Sequence, residues 1–201
     1  MIVVANAGPL IALARIGCLD LLQTLYGQLR IPPAVWEEVL ASGSGQPEAV
    51  TIGALPWIHV VEVHNVTAVQ LMRDRLDAGE SEAIVLALEL NADLLLIDEA
   101  RGRRVAEARG LNKTGTLGTL VMAKRRGLVP LVTPLLDQLR GVGFYVSGEL
   151  HQTVRALDLP AILGGAPVVT QPLGIIRPLL PPLAAISIRP SHFAPLAVQY
   201  R

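Results

Sequence analysis

Residues 79–99, GESEAIVLALELNADLLLIDE, decide the fold of this 201-residue chain. Residues 80–90 carry apolar positions at Ile84, Val85, Leu88 and their neighbours, which reads as a largely buried helix ended by Asn91. Residues 93–97, DLLLI, follow as a short apolar run bounded by turn signals, which reads as a buried parallel strand. Glu82 falls in the first turn of the helix and Asp98 falls where the strand stops. In open α/β sheets, ligands bind outside the carboxyl ends of the strands, so Asp98 stands where chemistry is expected.

Working outward, the same alternation recurs. Residues 2–5, IVVA, read as a first strand and Asn6-Ala7-Gly8-Pro9 as its turn. Pro9 suits the first turn of a helix, where a missing N–H costs nothing. Helical spacing runs from Leu10 to about Leu25 with a break at Gly17. Residues 28–31 read as a second strand, and Pro32-Pro33 opens a helix over 34–41. Residues 42–56 read as a loop or partly helical insertion. Strands are expected at 57–63 and 111–115. Helices are expected at 67–76, 99–109, 116–126, 133–140 and 148–157. Lys124-Arg125-Arg126-Gly127 supplies a C-terminal signal with cations in the last turn. Strand–helix alternation of this kind argues for an α/β fold with a mainly parallel sheet. We expect one domain over residues 1–158. The remaining segment, 159–201, holds eight of the fifteen prolines, no Asp or Glu and three basic residues, and reads as an apolar, proline-rich tail, either disordered or lying across the domain or a partner.

Composition narrows the function classes. Hydrophobic residues make up 51% and charged residues 17%, so the chain is globular. Formal net charge is zero, and any nucleic-acid contact must rely on a local patch. Cys18 is the single cysteine, which excludes an internal disulfide and argues against a zinc cage. His59, His64, His151 and His192 show no paired ligand spacing. Residues 114–119, TGTLGT, lack the Gly-Lys-Ser/Thr of a nucleotide-binding loop, and no GxSxG elbow occurs. The opening residues lack the basic region of a secretion signal. The late apolar stretch is broken by Arg177, Pro178, Pro181 and Pro182, so no membrane span is expected and a cytoplasmic location follows by default.

Four polar residues occupy comparable places. Asn6 follows the first strand, Glu38 lies on the helix after the second, Glu82 lies on the helix before residues 93–97, and Asp98 follows that strand. If the strands at 2–5 and 93–97 are neighbours, Asn6 and Asp98 face one cleft, with Glu38 and Glu82 reaching in. Clustered carboxylates repel one another and are tolerated when a hard dication neutralises them; Mg²⁺ and Mn²⁺ favour such oxygen donors. Each residue also has a structural role open to it. Asp98 suits a helix cap, Glu82 a favourable helix-dipole position, Asn6 a turn, and Glu38 is one of an adjacent Glu pair. Glu80 and Glu99 read as surface residues, with Glu99 able to assist its neighbour Asp98.

The order IVVANAGPLIALARIG (2–17), IPPAVWEEV (31–39), GESEAIVLALEL (79–90), ADLLLIDEARGRRVAEARGL (92–111) and TGTLGTLVMAKRRGLVP (114–130) resembles the PIN domain. It is most similar to a prokaryotic branch related to the toxin ribonucleases of toxin–antitoxin pairs, and the likeness covers roughly residues 1–157. The resemblance implies a three-layer α/β/α fold and Mg²⁺- or Mn²⁺-dependent endoribonuclease activity, commonly as a homodimer, with RNA as substrate and an antitoxin protein as possible partner. It places the family's acidic positions on Asn6, Glu38, Glu82 and Asp98 as metal ligands, the last three also as catalytic residues. Asn6 departs from the family's Asp: an amide offers an oxygen but no charge and no base. The alternative is therefore a catalytically impaired module that binds RNA or protein. Thr116 is expected as a substrate or water contact. Arg101 and Arg104, in the basic run after Asp98, are expected to meet RNA phosphates. Aromatic content of 3% gives no sign of a stacking platform.

Overall fold

The computed structural model describes residues 1–42, 51–146 and 148–158. The expected tail at 159–201 and most of the expected loop at 42–56 lie outside those residues. Five short strands form one parallel sheet: β1 (Val3–Ala5), β2 (Leu29–Ile31), β3 (Ile58–Val60), β4 (Leu94–Leu96) and β5 (Lys113–Thr114), in the order β3-β2-β1-β4-β5. The central pair is in register as Val3↔Leu94, Val4↔Leu95 and Ala5↔Leu96. All three β1 residues are fully buried, as a strand covered on both faces demands. The strands are shorter than the sequence suggests because each parallel ladder extends only as far as its partner. The 57–63 run, for example, pairs over Ile58–Val60 against the three residues of β2.

The helices are α1 (Ala7–Arg15), α2 (Asp20–Tyr26), α3 (Pro33–Ser42), α4 (Val66–Arg73), α5 (Ala78–Glu89), α6 (Ala100–Ala108), α7 (Thr116–Arg125), α8 (Thr133–Gly141) and α9 (Gly148–Asp158). They flank the sheet in a three-layer α/β/α arrangement. The expected break at Gly17 separates α1 from α2: Gly17 adopts φ 66°, the left-handed conformation in which glycine avoids a Cβ penalty. The turn expected at residues 6–9 is instead the start of α1, with Asn6 as its N-cap. Pro9 belongs to that first turn, as its missing N–H allows.

Helix α5 packs on α3, α4, α6, β1 and β4. Its buried residues run around the whole helix, from Gly79 to Ala87. This central position is why its sequence is apolar without a clear one-sided stripe. Among the described residues, no helix is long and apolar enough to cross a membrane.

Candidate metal centre

Strands β1 and β4 lie side by side, and β1 is the point from which the strand order runs outward in both directions. Here the loops leaving the carboxyl ends part and leave a crevice. The Asn6 N–H donates to the Leu96 carbonyl at 2.9 Å, so Asn6 is fixed one residue beyond the ladder. Asn6 is buried and makes no side-chain cap bond to α1. Its Oδ1 has no hydrogen-bond partner among the described residues. A Cβ placed on Gly79 would lie 3.2 Å from this Oδ1 and 2.7 Å from Glu38 Oε2. Two acceptor oxygens, one from the β1 end and one from α3, therefore converge over the first turn of α5. Only glycine at position 79 leaves room for both.

The first turn of α5 brings more carboxylates. Asp77 is its N-cap, and its Oδ1 accepts from the Glu80 N–H at 2.7 Å. The Glu80 side chain turns inward and the residue is only 2% exposed, with Oε1 lacking a hydrogen-bond partner among the described residues. Asp77, Glu80 and Glu99 each place a carboxylate oxygen within 4.8 Å of the others. Burial raises the Glu80 carboxyl to about 7, helped by the charges of Asp77 and Glu99; backbone N–H groups of Asp77 and Gly102 oppose the rise without cancelling it. Glu38 is raised by burial and by the same two charges. Four carboxylates from α3, the start of α5 and the start of α6 thus share one field.

Asp98 is held separately. It accepts from the Thr116 N–H at 2.8 Å and the Thr116 hydroxyl at 2.6 Å. Arg103 adds a positive charge nearby while its Nη1 donates to the Ile97 carbonyl at 2.9 Å. Burial raises the Asp98 carboxyl, and the Thr116 bonds and Arg103 pull against it. Both ends of this carboxylate are therefore oriented before any ligand arrives.

A PIN domain family model matches residues 2–158. The chain belongs to the PIN domain family. No curated protein matches it. PIN domains have a nuclease-type fold and usually use divalent metal ions, and this one carries a carboxylate cluster at the crevice. The donor set fits such an ion: every group is a hard oxygen, and among the described residues two buried oxygens, Asn6 Oδ1 and Glu80 Oε1, have no hydrogen-bond partner.

Against the sequence reading, this PIN domain brings Asn6 and Glu38 together and sets Asp98 on the adjoining strand end. Among the described residues, the carboxylates that lie within 4.8 Å of one another are those of Asp77, Glu80 and Glu99, and Glu82 is not one of them. Glu82 Oε2 accepts from the Ala34 N–H at 2.9 Å and so caps the start of α3. Two residues on a helix are about 200° apart, so Glu80 and Glu82 face opposite ways. The acid that α5 contributes to the cluster is Glu80, joined by Asp77 and Glu99. Glu80 and Glu99 read as surface residues in the sequence; the overlooked signal was Asp77-Ala78-Gly79-Glu80, a capping-box spacing before an apolar run, which turns the fourth residue back toward the first. Thr116, expected to meet substrate, is fully buried and spends its amide and hydroxyl on Asp98. Arg101 and Arg104 line a separate cleft of about 400 Å³ with Asp74, Arg75 and Val105, away from the groove that Asp98 lines.

Proposed function

We propose that this PIN domain is a divalent-metal-dependent endoribonuclease whose ion is held by Glu38, Glu80 and Glu99, with Asp77 and the neutral oxygen of Asn6 beside them. The single observation that carries the reading is the carboxylate cluster at the start of α5, where Asp77, Glu80 and Glu99 lie within 4.8 Å of one another and Glu80 is buried. When bound, Mg²⁺ or Mn²⁺ supplies charge stabilisation to a phosphodiester under in-line attack and makes water easier to ionise. Thr116 holds both oxygens of the Asp98 carboxylate, with the Arg103 charge nearby. Glu80 holds a proton on part of the molecules near pH 7 in the metal-free protein, so loading the site releases protons. The resemblance to toxin ribonucleases extends the reading to a cytoplasmic, toxin-like protein that acts as a homodimer and is held in check by an antitoxin.

The test is cleavage of single-stranded RNA with Mn²⁺ or Mg²⁺. Excess chelator is expected to stop it, and Asp98→Asn or Glu80→Gln to lower its rate by about 100-fold or more. Cleavage that continues in chelator, or that both substitutions leave unchanged, contradicts the proposal.

One observation favours a second reading, a catalytically impaired module that binds RNA or protein. Asn6 puts an uncharged oxygen where the family's pattern has a carboxylate, which weakens ion binding. Activity that is absent in the native protein and appears in Asn6→Asp would support this reading over the first.

A further inference from the structure

A groove of about 500 Å³ runs beside the cluster, and Asp98 and Glu99 line it together with Arg15, Phe144 and Tyr145. The aromatic wall is built, not incidental. Gly143, at φ 86°, turns the chain sharply at the end of α8, and the Phe144 N–H returns to the Leu139 carbonyl at 2.9 Å. Phe144 packs against the core and Val146 is buried, so both neighbours of Tyr145 are anchored. Tyr145 between them is 87% exposed. A ring held out from two pinned neighbours loses little freedom when something stacks on it.

We propose that Tyr145, backed by Phe144, is a base-stacking subsite that selects single-stranded RNA by receiving one unpaired nucleobase next to the reacting phosphate. The inference rests on the nuclease reading of the same crevice. The occupant follows from the lining: one wall is aromatic, which suits a flat π face, while the other carries the acids that would meet the phosphate through a cation. Arg15 adds a positive charge to the same groove. Bases inside a duplex are already stacked and hydrogen-bonded, so they cannot enter without unpairing. The low aromatic content hid this feature, because a stacking site needs only one well-placed ring.

The test uses the full chain and a short single-stranded RNA carrying 2-aminopurine, with Ca²⁺ in place of Mg²⁺ so that binding is read apart from cleavage. Native protein is expected to quench the probe. Tyr145→Ala should abolish the quench and weaken binding by about tenfold, while Tyr145→Phe and Tyr145→Trp preserve both. A protein that never cleaves RNA yet shows this pattern would sink the nuclease reading and leave the subsite standing. Tyr145→Ala binding and quenching like the native protein overturns the proposal. So does a Tyr145→Ala protein that loses self-association in sedimentation while its RNA affinity is unchanged, since the ring would then belong to a protein interface.

Discussion

At the scale of single residues, Asn6, Gly79 and Glu80 lie in the candidate site and Glu82 holds the start of α3, and each makes a distinct prediction. Gly79→Ala would ordinarily favour a helix by about 1 kcal/mol. Here the new methyl meets Glu38 Oε2, the far end of a flexible side chain. The substitution should therefore leave the thermal midpoint within a few degrees of native but weaken Mn²⁺ binding by about tenfold, measured by calorimetry. Glu82→Ala should cost about 1 kcal/mol of stability, because the start of α3 loses its acceptor, while Mn²⁺ affinity stays near native. Asn6→Asp should destabilise the metal-free protein and enlarge the stabilisation given by Mn²⁺, because it adds a charge beside Glu38. At this scale Asn6 and Asp98 are singled out by their places after apolar runs, and Glu38 by the family resemblance. Glu80 is not, because the choice between residues 80 and 82 depends on helix phase. That phase is set by the Asp77 cap and by packing on every side of α5.

Among elements, the start of α5 is where stability and pH meet. The Glu80 carboxyl stands at about 7 and those of Glu38 and Asp98 also lie above their ordinary range. Asp77 and Glu99 are the charges facing Glu80 and Glu38, while Arg103 faces Asp98. Between the ordinary carboxyl range and about pH 7, the folded chain holds more protons than the unfolded chain. Stability from these groups is thus present at low pH and lost as pH rises through their raised values. The midpoint in chelator should fall between about pH 5 and pH 8 and recover on adding Mn²⁺; Glu80→Gln should flatten the slope. Asp158 works in the opposite sense. Burial alone would raise it, but Lys124 and the N–H groups of Thr133 and Val132 hold it below the usual carboxylate range. Its contribution is present above the ordinary carboxyl range and is lost only as pH falls well below it. Asp158 pins α9 to the start of α8, so Asp158→Ala should cost about 2–3 kcal/mol and speed hydrogen exchange in α8 and α9. The helices were readable from their periodicity and caps, including the break at Gly17. Strand ends were not, because a partner's length sets them.

For the whole molecule, the order β3-β2-β1-β4-β5 is what turns separated residues into one site. A repeating strand–helix pattern implied parallel strands, and the apolar runs at 2–5 and 93–97 marked the two that lie deepest. Sequence alone left the groove unseen, since Tyr145 is distant in the chain from both Asp98 and Arg15 and only the return of α8 brings it near. Arg101 and Arg104, on α6, line the cleft with Asp74 and Arg75. The most direct test of the central claim is Mn²⁺-dependent cleavage of single-stranded RNA by the native chain, Glu80→Gln and Glu82→Gln, side by side. A site centred on Glu80 predicts loss of about 100-fold or more in Glu80→Gln and near-native rates in Glu82→Gln. Full activity in Glu80→Gln with loss in Glu82→Gln would contradict it.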